Sequence, residues 1–270
     1  MRNTYGGQQS DAWLRNRVGR ITASRIGDVC SYLKRKSGDK EVGSSSGTRD
    51  SYFYELVSER LTGRTKDHYN SPAMQRGNDL ENDARLYYEG ALRVMCQPVN
   101  FVLHPELDFT GASPDSLVGS EGVVEIKCLL PWNHIEFLDT KEIEPERFSQ
   151  VGWQLACGGK QRRWSDLVHF CPDILGCDAL RFHYDRIGRD ELQWKVGKEE
   201  RLLTGEAVID YFTSEVIKLN AEITQFMVEH KATPVAPFPV EFLEEEPPED
   251  IGELGIGPEE LAILDRAMQQ

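Results

Sequence analysis

Two carboxylates and an amine set close together carry the chemistry most legible in this chain. Residues 111–128 read GASPDSLVGSEGVVEIKC, in which Asp115 is followed after nine residues by Glu125, Ile126 and Lys127. In a strand alternate side chains share a face, so Val123, Glu125 and Lys127 point one way, and Val124, Ile126 and Cys128 point the other. A turn at Gly119 to Gly122 folds the Asp115 strand back alongside and brings the three charged groups together. The set suits phosphodiester hydrolysis, because carboxylate oxygens hold Mg²⁺ while the cation polarises the phosphate and lowers the pKa of a bound water. Lys127 then orients the attacking water or stabilises charge developing on the phosphate. Taken alone, the same pattern also fits a solvated hairpin rich in Glu and Lys.

Further groups belong to the same reading. In a helix over 74–88, Met74, Gly77, Glu81, Ala84 and Tyr88 fall on one stripe, and a carboxylate there needs a partner or a polar cleft. The alternative face, Leu80, Ala84 and Tyr87, leaves Glu81 in solvent. Arg17 precedes a helix start that holds Thr22 and Ser24, and hydroxyls at a helix N-terminus near a guanidinium form a site for phosphate. The competing reading makes Thr22 a simple cap and leaves Arg17 and Arg20 solvated. A helix from Pro145 presents Gln150 and Gln154 on one face, as exposed amides or as part of the site.

The elements that must position these groups change character along the chain. Ser10 caps a first helix, Thr22 opens a second over 23–32, and 37–49 read as a mobile Ser/Gly-rich loop. Helices resume at about 50–62 and 72–89. From residue 98 short β runs follow, at 99–104, 111–118, 123–128, 167–171 and 180–184, interrupted by the Pro145 helix. A long amphipathic helix covers 205–230. A nuclease domain over 1–232 and an acidic, Pro-rich linker with a short helix over 233–270 are expected.

Composition narrows the class. The 270 residues carry a formal charge of −14, of which residues 241–270 supply −9. Against that background, Arg15, Arg17, Arg20, Arg25, Lys34, Arg35, Lys36 and Lys40 face only Asp28 and Asp39, a local excess that marks a nucleic-acid-binding patch. Six cysteines without a CxxC pair argue against disulfides and zinc ribbons, and the six histidines show no metal-ligand spacing. No apolar run is long enough for a membrane span or a secretory signal, so a soluble, cytoplasmic protein is expected.

Four blocks in order, AWLRNRVGRITAS at 12–24, GNDLENDAR at 77–85, the segment 111–128 and SQVGWQ at 149–154, resemble the phage lambda exonuclease family of YqaJ-like viral recombinases, within the PD-(D/E)xK nucleases. The resemblance implies an α/β (α+β) restriction-endonuclease-like fold, a mixed central sheet flanked by helices. It implies a metal-dependent deoxyribonuclease of the alkaline exonuclease type, with Mg²⁺ as cofactor and Mn²⁺ as substitute, digesting one strand of duplex DNA 5′ to 3′ from its end. By matching positions, Asp115, Glu125 and the Ile126 carbonyl bind metal, Lys127 acts on the water, and Glu81 and Gln150 complete the site. Arg17, Ser24 and Ser113 line a pocket for the 5′-phosphate. A homotrimeric ring around DNA and a single-strand annealing protein as partner are implied as well. The family's further acidic residue, about ten positions before the Asp, has no clear equivalent among Pro105, Glu106 and Asp108. The alternatives are a structure-specific or flap endonuclease on the same fold, and an inactive DNA-binding module of a recombination complex.

Overall fold

The computed structural model describes residues 2–3, 10–65, 72–197 and 199–239. A short strand, β1 (Arg2–Asn3), precedes helix α1 (Asp11–Arg17), whose cap Ser10 accepts from the Trp13 amide. Strand β2 (Ile21–Thr22) leads through a 3₁₀ turn (Ala23–Arg25) into the short helix α2 (Ile26–Val29). The single helix expected over 23–32 is therefore replaced by two short turns, and the Thr22 side chain makes no cap bond. The Ser/Gly-rich stretch is more structured than expected. Bridges pair Tyr32 with Ser45 and Ser37 with Lys40, and Ser46 caps helix α3 (Gly47–Thr62) by accepting from the Arg49 amide. Helix α4 spans Pro72–Leu92.

Strands β3 (Cys96–Gln97), β4 (Val102–Leu103), β5 (Thr110–Ala112), β6 (Ser116–Val118) and β7 (Gly122–Lys127) follow. Helices α5 (Pro131–Thr140) and α6 (Pro145–Cys157) then cross over to β8 (Trp164–Phe170). The chain continues through β9 (Phe182–Gly188), the hairpin β10 (Gln193–Val196) and β11 (Arg201–Thr204), and helix α7 (Glu206–Glu229).

Among the described residues the central sheet has five strands in the order β3-β6-β7-β8-β9. β7 and β8 run parallel, which is why two helices are needed between them, and the remaining neighbours are antiparallel. A second sheet, β1-β4-β5-β2, joins β2 and β5 in parallel. This is the mixed sheet flanked by helices that the sequence led us to expect. The run 111–118 is broken at 113–115, and the break carries Asp115.

Both faces of β7 are covered. Val123 belongs to the larger core with Val151 and Leu155 of α6 and Phe212 of α7, whereas Val124 and Ile126 pack with Ala84 and Tyr88 of α4. At the start of β7 a Cβ on Gly122 would lie 2.3 Å from the Trp164 ring, so only glycine fits there. The preceding Gly119 turns with φ +52°.

The stretch from Thr233, read as linker, is packed as far as it is described. Ala236 is buried, and the amides of Val235 and Ala236 donate to the Arg60 carbonyl. Packing thus continues past residue 232 to 239, and residues 240–270 lie outside the described residues. All six cysteines are free thiols, and no helix among the described residues is long and apolar enough to cross a membrane.

Candidate active site

Strand β7 holds Glu125 and Lys127 on the face that α6 covers, and β6 with its preceding loop brings Asp115 beside them. The register is Ser116 opposite Val124, and the Asp115 amide donates to the Val124 carbonyl at 3.1 Å. The Ile126 amide returns a bond to Asp115 Oδ2 at 2.6 Å. Two exchanges with one strand leave the Asp115 carboxylate little freedom.

Glu125 is 2% exposed, and a buried charge needs hydrogen-bond partners. It has three. Lys127 Nζ and Gln150 Nε2 donate to Oε1, the latter at 2.7 Å, and Gln154 Nε2 donates to Oε2. The amides of α6 are therefore not solvated: Gln154 is buried at 2% exposure and Gln150 half-buried. Gln154 is a site residue that sequence reasoning left undecided. Its spacing of four from Gln150 puts both on one helix face and was the available signal.

Helix α4 settles the face on which Glu81 lies. Ala84 and Tyr88 are fully buried while Tyr87 is exposed, so the stripe containing Glu81 is the one turned to the sheet. Burial and the nearby Glu125 raise the Glu81 pKa; burial, then Glu125 and Glu81, raise that of Asp115 well above the usual carboxylate range. Three carboxylates thus face the Lys127 ammonium, with Arg85 acting on Glu81 as well, and negative charge stays in surplus. Glu106 and Asp108 are exposed, neither is among the charges that shift Asp115 or Glu81, and the Asp108 carbonyl accepts from Arg20 Nε.

That surplus and its hard oxygen donors are the chemistry a divalent cation requires. Among the described residues no three His, Cys, Asp or Glu side chains form a ready ion cage. Two carboxylates plus the Ile126 carbonyl need no third such side chain, so the donor set fits the ion.

Ser113 lies two residues before Asp115, in the same β5–β6 connection. Arg17 Nη1 donates to its hydroxyl at 3.2 Å and Trp13 Nε1 at 3.0 Å, and the Arg17 guanidinium stacks 4.3 Å over the Trp13 ring. Burial lowers the Arg17 pKa, which marks a guanidinium short of solvent. Trp13 stands in a capped helix and in the AWLRNRVGRITAS block, and nothing local to it foretells a contact across a hundred residues. Ser24 is exposed, 3.5 Å from the Thr22 hydroxyl. The parallel pair Thr22 and Gly111 sends both chains out side by side, and Ser24 and Ser113 each follow it by two residues. The nearby helix is too short to act as the phosphate site expected of it.

The basic patch largely disappears on folding. Arg20 is buried and donates to the carbonyls of Asn16, Asp108 and Phe238. Arg25 pairs with Asp28 and Glu55, Lys34 with Glu200, Lys36 with Glu41, and Lys40 with Asp50. A cavity of about 670 Å³ between Tyr32, Phe148 and Trp194 contains none of the candidate residues and is separate from this site.

Residues 12–161 match the model of the YqaJ-like viral recombinase domain. The alkaline exonuclease of Laribacter hongkongensis is 31% identical, with a TM-score of 0.66 over 82% of this chain and 96% of that one. Its complex with dAMP superposes with a TM-score of 0.65, at 31% identity over 82% of this chain and 98% of that one. A phage-related exonuclease from Haemophilus somnus 129PT, 14% identical with a TM-score of 0.57 over 78% of this chain and 96% of that one, shares the fold. No curated protein sequence matches the chain. With more than half its length matched by the domain and an alkaline exonuclease aligned over four fifths of it, the chain belongs to the YqaJ-like viral recombinase family and is a nuclease.

Proposed function

We propose that the protein is a Mg²⁺-dependent exonuclease that loads on the end of duplex DNA and digests one strand 5′ to 3′. The product is a 3′ single-stranded overhang for recombination by strand annealing. One observation carries this reading: Ser113, held by Arg17 and Trp13, lies two residues from Asp115. Two residues of extended chain span at most about 7 Å. A terminal phosphate held by Arg17, Ser24 and Ser113 therefore leaves the next phosphodiester within reach of the carboxylates.

The residues then divide the work. Asp115, Glu125 and the Ile126 carbonyl would hold the cation, which, when bound, neutralises charge on the phosphate and promotes deprotonation of water. Mn²⁺ is expected to substitute, being another hard ion of similar ligand preference. Gln150 and Gln154 orient Glu125, and Glu81 adds negative charge that favours the cation. Lys127, held at Glu125, positions the attacking water or donates to a phosphate oxygen as charge develops there. A homotrimeric ring enclosing the duplex and an annealing protein as partner complete the proposal; both rest on family resemblance.

The test is digestion of linear duplex with 5′-phosphate or 5′-hydroxyl ends beside a closed circle, with Mg²⁺ or EDTA. Metal-dependent loss of linear DNA alone, faster with 5′-phosphate and abolished by Lys127→Ala, is the expected result. Cutting of the circle would replace the proposal with a structure-specific endonuclease.

A further inference from the structure

Beside Lys127 the sheet and the α5–α6 connection enclose a second space, a cavity of about 320 Å³. Its size is at the small end of ligand pockets, which run from roughly 300 to 1,000 Å³. His169 of β8 is the register partner of Lys127 in the parallel pair, so the two lie one strand spacing apart, about 4.8 Å. Arg147 at its mouth stands one helical turn before Gln150.

The lining specifies the chemistry of an occupant. Leu129, Ile143, Leu167 and Phe137 provide apolar surface, and Phe137 stacks on the His169 ring at 3.6 Å between centroids. His169 is 1% exposed, and its Nδ1 finds no hydrogen-bond partner among the described residues. Burial, with Arg147 and other cationic groups nearby, pushes its pKa down to about 3, so the ring is neutral and offers one donor and one acceptor. Asn133 adds an amide. The rim carries Glu136, Glu142 and Glu144 against Arg147, which is already paired with Glu144. An anion is repelled there, and a flat neutral heterocycle with hydrogen-bonding edges is not.

We infer that this cavity is a nucleobase pocket, which receives the base of the nucleotide whose phosphate lies at Lys127. The acidic rim keeps the phosphate out while the base enters, so the two parts of one nucleotide are sorted by charge. The inference rests on the proposed role of Lys127 at the cleaved phosphate.

Calorimetric binding of dGMP and of deoxyribose 5-phosphate, which lacks the base, tests it on the full chain with Mg²⁺. The wild type is expected to bind dGMP at least about tenfold more tightly, the worth of one buried polar or aromatic contact. His169→Phe removes the orphaned nitrogen and Ile143→Trp fills the space from the opposite wall. Either variant, once thermal unfolding shows it folded, should weaken dGMP by roughly tenfold and leave deoxyribose 5-phosphate within about twofold. Equal binding of the two compounds by the wild type, or dGMP binding unchanged in a folded variant, would overturn the pocket. The reading of Lys127 fails separately, if Lys127→Ala digests DNA at the wild-type rate.

Discussion

The Ile126 amide donates to Asp115 Oδ2, so the strand that carries Glu125 and Lys127 also aims the first carboxylate. Asp115→Asn preserves this bond, because the amide oxygen still accepts, and changes only the charge. Activity should fall by about 10²-fold or more, since electrostatic groups at a phosphoryl centre are worth several kcal/mol. Digestion rates across a Mg²⁺ titration measure the loss, and a rate near that of the wild type would remove Asp115 from the site.

Glu81 allows a pH test with a definite sign. Its pKa is raised by burial and by Glu125, so the folded protein binds that proton more tightly than the unfolded chain. Stability from this source is complete below the unfolded value, about 4.3, and is lost as pH rises through the higher folded value. In EDTA, Glu81→Gln should therefore melt above the wild type at pH 8 and together with it near pH 4. Each 1 kcal/mol of such a gain corresponds to roughly 2–4 °C in a chain of this size. Melting curves at the two pH values decide, and a constant offset would point to packing instead of charge.

Gln154→Leu keeps most of the volume and deletes a donor to buried Glu125. The carboxylate left under-bonded should cost about 1–3 kcal/mol of stability. Because groups that orient metal ligands typically govern affinity by 10–100-fold, the Mg²⁺ concentration for half-maximal activity should rise by a factor in about that range. Metal titration of the variant checks this, and an unchanged half-point with lowered stability would make Gln154 purely structural.

Arg17→Ala should erase the preference for 5′-phosphorylated ends and leave 5′-hydroxyl ends within about twofold of wild type, as expected for a lost charge-assisted contact. Ser113→Ala should act in the same direction and less strongly. Paired digestion of the two end types gives the ratio directly; equal slowing on both would place Arg17 outside end recognition.

Two truncations probe the segment that follows Thr233. A chain ending at 232 loses the Phe238 carbonyl that Arg20 donates to, together with buried Ala236. It should be less stable than one ending at 239 by about 2 kcal/mol, the scale of an unpaired buried group and a lost apolar contact. Denaturant unfolding of both chains compares them.

What was legible follows the range of the underlying physics. Alternation across Val123 to Cys128 predicts which side chains share a face, because a strand's period is local, and the structure keeps that division. The helical stripe through Glu81, Ala84 and Tyr88 is likewise a local periodicity, although only tertiary packing decides between it and the Tyr87 face. Helix α5 went unnoticed although Pro131 opens it as Pro145 opens α6, and the β10–β11 hairpin because a charged run separates its strands. Counting Arg and Lys over 15–40 misled, since the window stops short of Glu41, Asp50 and Glu55 and takes no account of distant Glu200. Trp13 meeting Ser113 belongs to the same class.

The two covered faces of β7 bear on how the chain finds its fold. A slip of one residue against β8 would turn Glu125 and Lys127 into the apolar layer under α4 and bring Val124 and Ile126 against Gln150 and Gln154. Two charges would then lie unpaired in an apolar layer and two amides would face aliphatic side chains, so no neighbouring alignment competes with the native one. The reactive groups thereby act as registration marks during assembly, and a mutant stripped of them should fold with less certainty about where its central strand belongs.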